Sequence, residues 1–234
     1  MMTDFFRHIY QHQADEYHQM ISYEDVDQQL LPAIEKITPI MGKRVLDLGS
    51  GTGRFSLMLA PLAADLIALD LHAGMLQEQR KQRDQIDGRW PLLQGDIRHL
   101  PVSDQWADIV TSGWAMGHFQ GWFAPHWEPE VDQALQEMLR VLKPDGTLII
   151  AETMGTGTES AGPPSAGLKA YYAYLENVWG FQKKVIVTDM LFESVEAAVQ
   201  HAGFFFPHLT DKIWQNNWQR LPEWTGIWHR KKQQ

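Results

Sequence analysis

The chain has 234 residues, 44% hydrophobic and 21% charged, which suits one domain with its own core. It has no cysteine, which excludes disulfides, thiolate nucleophiles and Cys-ligated zinc or iron–sulfur sites. Its net charge of −9 is opposite in sign to the basic footprint of a nucleic-acid binder. One count stands out: ten tryptophans, with Trp90 alone ahead of Trp106.

The first residues, MMTDFFRHIYQ, carry no basic region followed by an apolar run. No apolar stretch approaches ~20 residues. The expectation is a cytoplasmic protein without leader or membrane span. Residues 4–20 place Phe5, Phe6, Ile9, Tyr10, Tyr17 and Met20 at helical spacing. A second helical stretch runs to about Ile37, with a new start or kink at Pro32. From Lys43 the rhythm changes to short apolar strands alternating with helices. Strands are expected in RVLDLGSG (44–51), a run ending in glycines, and at 66–71, 91–96, 107–113 and 147–152, and helices at 54–62, 73–86 and 130–142. KPDG (143–146) ends the last of these helices, with Gly146 suited to a left-handed backbone. Such alternation implies parallel βαβ units in a doubly wound α/β sheet.

Residues 154–167 read as a loop, followed by an aromatic helix at 170–181. Ser194 is a plausible N-cap for a helix ending near Gly203. Two aromatic strands, around 204–214 and 224–230, are expected to close the chain as an antiparallel hairpin.

The strongest motif is Asp47-Leu-Gly49-Ser50-Gly51-Thr-Gly53, directly after a strand and before a helix. Glycines there let the backbone turn tightly and let a ligand approach without a Cβ clash. A dinucleotide fingerprint would need its third glycine at position 54, which is Arg. The pattern D-x-G-x-G-x-G instead resembles motif I of the class I S-adenosylmethionine-dependent methyltransferases, and the small-molecule, ubiquinone/menaquinone-type group in particular. GDIRHLP (95–101), WADIVTSGWAMGHF (106–119) and EMLRVLKPDGTLIIAE (137–152) extend the resemblance in order, over about residues 42–153.

The resemblance implies a mostly parallel seven-stranded sheet with the last strand antiparallel, and S-adenosylmethionine as cofactor. It divides the single domain into a helical N-terminal cover (1–40), a cofactor-binding core (42–153), an inserted cap (154–192) and a closing segment (193–234). Asp47 and carbonyls of Gly49, Ser50 and Gly51 would face the cofactor's ammonium group. Asp70, with Leu71 beside it, would accept from the ribose hydroxyls. Asp96 would bind the adenine amino group beside Ile97, while Ser112 and Trp114 border the reacting end. Tyr17, in Ala14-Asp-Glu-Tyr17, resembles an N-terminal tyrosine that closes over the cofactor. For Asp47 and Asp96 a purely structural role, bonding loop amides or capping a turn, stands beside these.

Methyl transfer from a sulfonium needs an aligned nucleophile and, for many acceptors, removal of a proton. His118, just past the fourth strand, is the candidate base; the alternative is a histidine that only packs. Trp114, Trp122, Trp127 and Trp179 are candidate acceptor-pocket residues. Tyr171, Tyr172 and Tyr174 belong either to a lid or to a satellite hydrophobic cluster. His8 and His12, four apart on a helix, lack the glutamate of H-E-x-x-H, so no metal site is expected. Net charge concentrates in residues 1–40 (−5) and 103–159 (−7), the segments expected around the mouth. The acceptor is therefore expected to be a small molecule, neutral or cationic, and neither a nucleic acid nor a membrane. The chain is expected to act as a monomer or homodimer. The rival readings are an NAD(P)-dependent oxidoreductase and a cofactor-binding regulator without methyl transfer.

Overall fold

The computed structural model describes residues 2–233. Its strands are β1 (Arg44–Leu48), β2 (Asp65–Asp70), β3 (Leu92–Gln94), β4 (Ala107–Gly113), β5 (Leu142–Thr156), β6 (Gln182–Val187), β7 (Met190–Leu191), β8 (Arg220–Leu221) and β9 (Glu223–Lys231). Seven of them form one sheet in the order β3-β2-β1-β4-β5-β9-β6, while β7 and β8 pair separately. The β3-β2-β1-β4-β5 block is parallel, and β9 lies antiparallel between β5 and β6. This is the expected α/β, doubly wound architecture, with its order reversing beside β1.

Burial runs continuously along β1 because helices cover both faces, so neighbouring residues serve opposite cores. Leu46, Val110, Leu148, Ile150 and Trp228 meet α7 (Glu128–Val141) and α8 (Ala166–Asn177) on one face. Val45, Ile109, Ile149 and Ile227 meet α3 (Leu30–Glu35) and α4 (Arg54–Leu59) on the other. In α7, Val131, Leu135 and Met138 form one buried stripe. The helix α5 (Ala73–Gln85) follows β2, and a short α6 (Phe119–Trp122) follows β4.

The N-terminal cover is two helices, α1 (Met2–His12) and α2 (Ala14–Ser22), parted at Gln13. The second expected helix shrinks to α3, with Pro32 inside its first turn, where a missing N–H is tolerated. Gly146 has no left-handed backbone; Asp145 does, at φ 63°. Gly146 answers a different need, since a Cβ there would meet the carbonyl of Asp108 at 2.9 Å.

The terminal hairpin is not formed. Residues 204–214 are helical: α9 (Val195–Phe205) runs through Gly203, and a 3-10 turn leads into α10 (Thr210–Asn216). Leu209 and Ile213, four apart, bury one face against α9 and Met20. That helical burial outweighs the strand propensity of the aromatic run. The partner of β9 on its outer side is instead β6, so part of the segment expected as a cap completes the sheet. Likewise α8 packs as core: Tyr171, Tyr172 and Leu175 are buried against the sheet. Ser194 does cap α9, accepting from the Ala197 amide at 3.2 Å.

Candidate active site

A cleft opens at the carboxyl ends of β1, β2 and β4. Open parallel sheets place ligands there, where strand order reverses. The glycine loop forms its floor. Gly49, Gly51 and Gly53 all take positive φ, at 62°, 55° and 102°. A Cβ on Gly49 would overlap Ala115 Cβ at 2.3 Å, so only glycine fits this crossing of two loops.

Asp70 ends β2 beside the loop and pins it. One carboxylate oxygen accepts from the Gly51 amide and the other from the His72 amide, both at 2.8 Å. Each oxygen retains a lone pair for a hydroxyl in the cleft. Asp96 follows β3, and its carboxylate is gripped by the Arg98 guanidinium, with contacts down to 2.6 Å. Bonding to Arg98 lowers its pKa, so it is an anion at neutral pH. Leu71 and Ile97 line the wall between these two acids.

Ten of the twelve residues singled out from sequence converge on this cleft. Tyr17, Gly49, Ser50, Gly51 and Asp70 line it, as do Leu71, Asp96, Ile97, Trp114 and His118. Asp47 and Ser112 do not. The Asp47 carboxylate is turned into the protein, accepting from Ser56 Oγ at 2.6 Å and Thr111 Oγ1 at 3.0 Å. Burial pushes its pKa up to about 6. Ser112 is fully buried, with no partner for its hydroxyl among the described residues. Of the tryptophan candidates, Trp114 and Trp122 line the cleft. Trp127 and Trp179 instead hold α8: Trp127 packs edge-on to Tyr171, and Trp179 donates to Asp132 at 2.8 Å.

Aromatic rings roof the cleft. His118 stacks on Trp122, with centroids 5.0 Å apart and planes within 9°. Its Nε2 shares a 2.9 Å hydrogen bond with the Tyr10 hydroxyl. Burial among these rings lowers the His118 pKa to about 4, so the imidazole is neutral. From the far end of the chain, Phe205 packs on Phe6 (4.9 Å), Tyr17 (5.3 Å) and Tyr10 (6.3 Å). Behind the floor lies Glu152, at the end of the apolar run of β5. It accepts from the Gly117 amide at 2.7 Å, and burial raises its pKa to about 8.

Sequence reasoning did not assign Arg54, His72 or Glu152 to the site. Arg54 was legible only as the residue that breaks a dinucleotide fingerprint. His72 follows β2 by two residues and Glu152 ends the apolar run of β5, so position at the carboxyl end of a parallel strand is the available signal for these two. The His8 and His12 rings lie 4.9 Å apart and tilted by 49°, and no cluster of three metal-ligating side chains occurs among the described residues. No described helix is long and apolar enough to cross a membrane.

Comparison with known proteins agrees with this architecture. Residues 46–150 match the family model described as a methyltransferase domain. A demethylmenaquinone methyltransferase of Renibacterium salmoninarum is 36% identical over 119 residues, 51% of this chain and 45% of that protein. A malonyl-[acyl-carrier protein] O-methyltransferase of Methylococcus capsulatus is 38% identical over 136 residues, 57% of this chain and 45% of its own length. The chain thus spans less than half the length of these relatives. In three dimensions it resembles a Haemonchus contortus phosphoethanolamine N-methyltransferase crystallised with S-adenosylhomocysteine. The TM-score is 0.64 at 17% identity, over all of this chain and 60% of that one. Residues 46–150 are thus similar to a methyltransferase domain, and the chain shares the fold of that solved structure.

Proposed function

We propose that this protein transfers the methyl group of S-adenosylmethionine to a small-molecule acceptor. The observation that carries the reading is the joining of two chambers in one cleft. One is the glycine cradle with Asp70 and Asp96; the other is the aromatic enclosure around His118. The cradle suits the cofactor on its own chemistry. Gly51 faces open space where a Cβ would stand, Asp70 keeps acceptor capacity for a ribose, and Leu71 and Ile97 offer apolar faces for a base. Asp47 is not given a direct contact with the ammonium group in this reading, since it is buried behind the cleft wall against Ser56 and Thr111.

When bound, the cofactor supplies an electrophilic methyl group. The protein's part is to align the acceptor, exclude water and take up a proton. Tyr10, Tyr17, Trp122 and Phe119 supply a largely apolar enclosure, compatible with a reaction in which positive charge disappears. His118 is neutral at physiological pH and so can accept a proton; Tyr10 fixes its ring orientation. Arg54 disfavours a dinucleotide, since it occupies the position of the third fingerprint glycine.

The test is transfer of labelled methyl from the cofactor into a cell extract, with the product identified. Label in a small molecule is expected, and label on protein or nucleic acid would overturn the acceptor class. In a melting assay, S-adenosylhomocysteine should stabilise the protein and NADH should not.

A further inference from the structure

Glu152 stands in an apolar row. By the two-residue period of a strand, Leu148 and Ile150 precede it on the same face of β5, where they pack into the core beneath α7 and α8. A carboxyl buried there is costly unless its bonds compensate. Its Oε1 accepts from the Gly117 amide at 2.7 Å. Gly117 is buried and is the middle residue of a 3-10 turn, Met116–His118. The first amides of a helical turn find no acceptor within it, so Glu152 completes the turn that carries His118. The contact is close. A Cβ at position 117 would stand 2.8 Å from Glu152 Oε2 and 3.0 Å from Leu168 of α8. One residue earlier on β5, the Ala151 carbonyl accepts from the Trp114 amide at 2.7 Å. The end of β5 thus grips the loop after β4 at two points, the second directly before His118.

We propose that Glu152 is a positioning residue for His118, setting the place of the imidazole in the cleft through the Gly117 amide. This rests on the reading of His118 as the base. Tyr10 and Trp122 hold the ring itself, one by a hydrogen bond and the other by stacking. They fix how the imidazole is turned, whereas the Glu152 bond fixes the backbone from which it projects. A base must lie within hydrogen-bond reach of its proton, and a displacement of about 1 Å can cost about 10²-fold in rate. Glu152 does not itself line the cleft, so its effect on rate passes through the turn. The cofactor floor has its own anchor, the bonds of Asp70 to the Gly51 and His72 amides. Loss of Glu152 should therefore slow transfer while leaving cofactor affinity in place.

The experiment combines three measurements: transfer of labelled methyl from S-adenosylmethionine into a cell extract, calorimetric titration with S-adenosylhomocysteine, and nitrogen-15 NMR of the histidine rings. The proteins are the wild type, Glu152→Leu, Glu152→Gln, Gly117→Ala and His118→Gln, the last identifying the His118 signals. Glu152→Leu keeps the bulk and removes the acceptor. Gly117→Ala keeps the carboxyl and pushes it off the turn, so it carries the test alone if Glu152→Leu does not fold. In both, transfer should fall about tenfold or more. Affinity for S-adenosylhomocysteine should change by less than about threefold, since the floor is anchored separately. The wild-type His118 ring is expected in one tautomer, titrating at about pH 4. In both variants it should become a tautomer mixture whose midpoint moves toward the 6.5 of a free imidazole. Glu152→Gln, whose amide oxygen can still accept from Gly117, should recover most of the lost rate and the wild-type ring signal. An unchanged rate or an unmoved His118 signal in Glu152→Leu and Gly117→Ala overturns the assignment, as does a parallel loss of rate and cofactor affinity. A His118→Gln variant at full rate overturns the base reading, and the assignment falls with it. Loss of rate in His118→Gln with full rate in Glu152→Leu overturns the assignment alone.

Discussion

Three acids with similar sequence settings do three different things. Asp70 keeps one foot in the loop and one in the cleft. Removing it in Asp70→Ala should weaken binding of S-adenosylhomocysteine by about 1–3 kcal/mol in a calorimetric titration. It should also lower the melting temperature, because the Gly51 and His72 amides lose their acceptor. Asp47 is spent internally, a distinction invisible in a motif that records only residue type and spacing. Glu152 is buried with its pKa raised from 4.5 to about 8. A carboxyl with a raised folded-state pKa contributes fully below its unfolded value and loses that contribution as pH rises through the folded one. Glu152→Gln should therefore match the wild type near pH 4.5. It should gain on it by up to about 1.4 kcal/mol per pH unit toward pH 8. Chemical denaturation at several pH values measures the gap; a gap independent of pH would contradict the assignment. At His118 the depressed pKa makes a different prediction. With His118 as base, the acid limb of kcat/KM should lie near pH 4, well below the 6.5 of a free imidazole. His118→Gln should lower kcat by about 10²–10⁴-fold with the fold intact. A purely packing histidine would lose stability and little rate.

At the scale of elements, legibility follows the kind of signal each one carries. β1, β2, β4 and β5 announce themselves as buried apolar runs, and α7 as a stripe at helical spacing. The glycine loop was readable because three glycines in one turn have few other uses. The terminal aromatics were misread because Phe204, Phe205 and Phe206 suit a strand locally, whereas their burial is set by α2 and Met190 more than a dozen residues away. Likewise β6 is polar and half exposed, with no periodicity to mark it as a member of the main sheet. α9 rests on a local device that was legible: the cap at Ser194. Ser194→Ala should cost about 1 kcal/mol of stability in denaturant titration. Affinity for S-adenosylhomocysteine should hold, since Ser194 caps the end of α9 opposite to Phe205.

For the molecule as a whole, the tryptophan asymmetry divides by place. Trp90 serves the core beneath α3. Trp114 and Trp122 face the cleft, Trp228 fills the other core against Tyr172 at 4.4 Å, and Trp214 is largely exposed. The roof of the cleft joins α1 and α2 to α9 through Phe205, and the sheet is completed by β9 between β5 and β6. These pairings span most of the chain, and such non-local contacts form late because loop closure must come first. Phe205→Leu should therefore speed unfolding and leave the refolding rate nearly unchanged in a chevron measurement. A matching loss in refolding rate would place the roof in the folding nucleus. During synthesis the same order has a temporal meaning. A nascent chain reaching Glu152 already holds every loop of the cofactor floor, yet the strap that shuts it lies some fifty residues further on. Until Phe205 emerges, the aromatic contacts that tie α1 and α2 to α9 cannot form, so the roof is the last part of the cleft to be assembled.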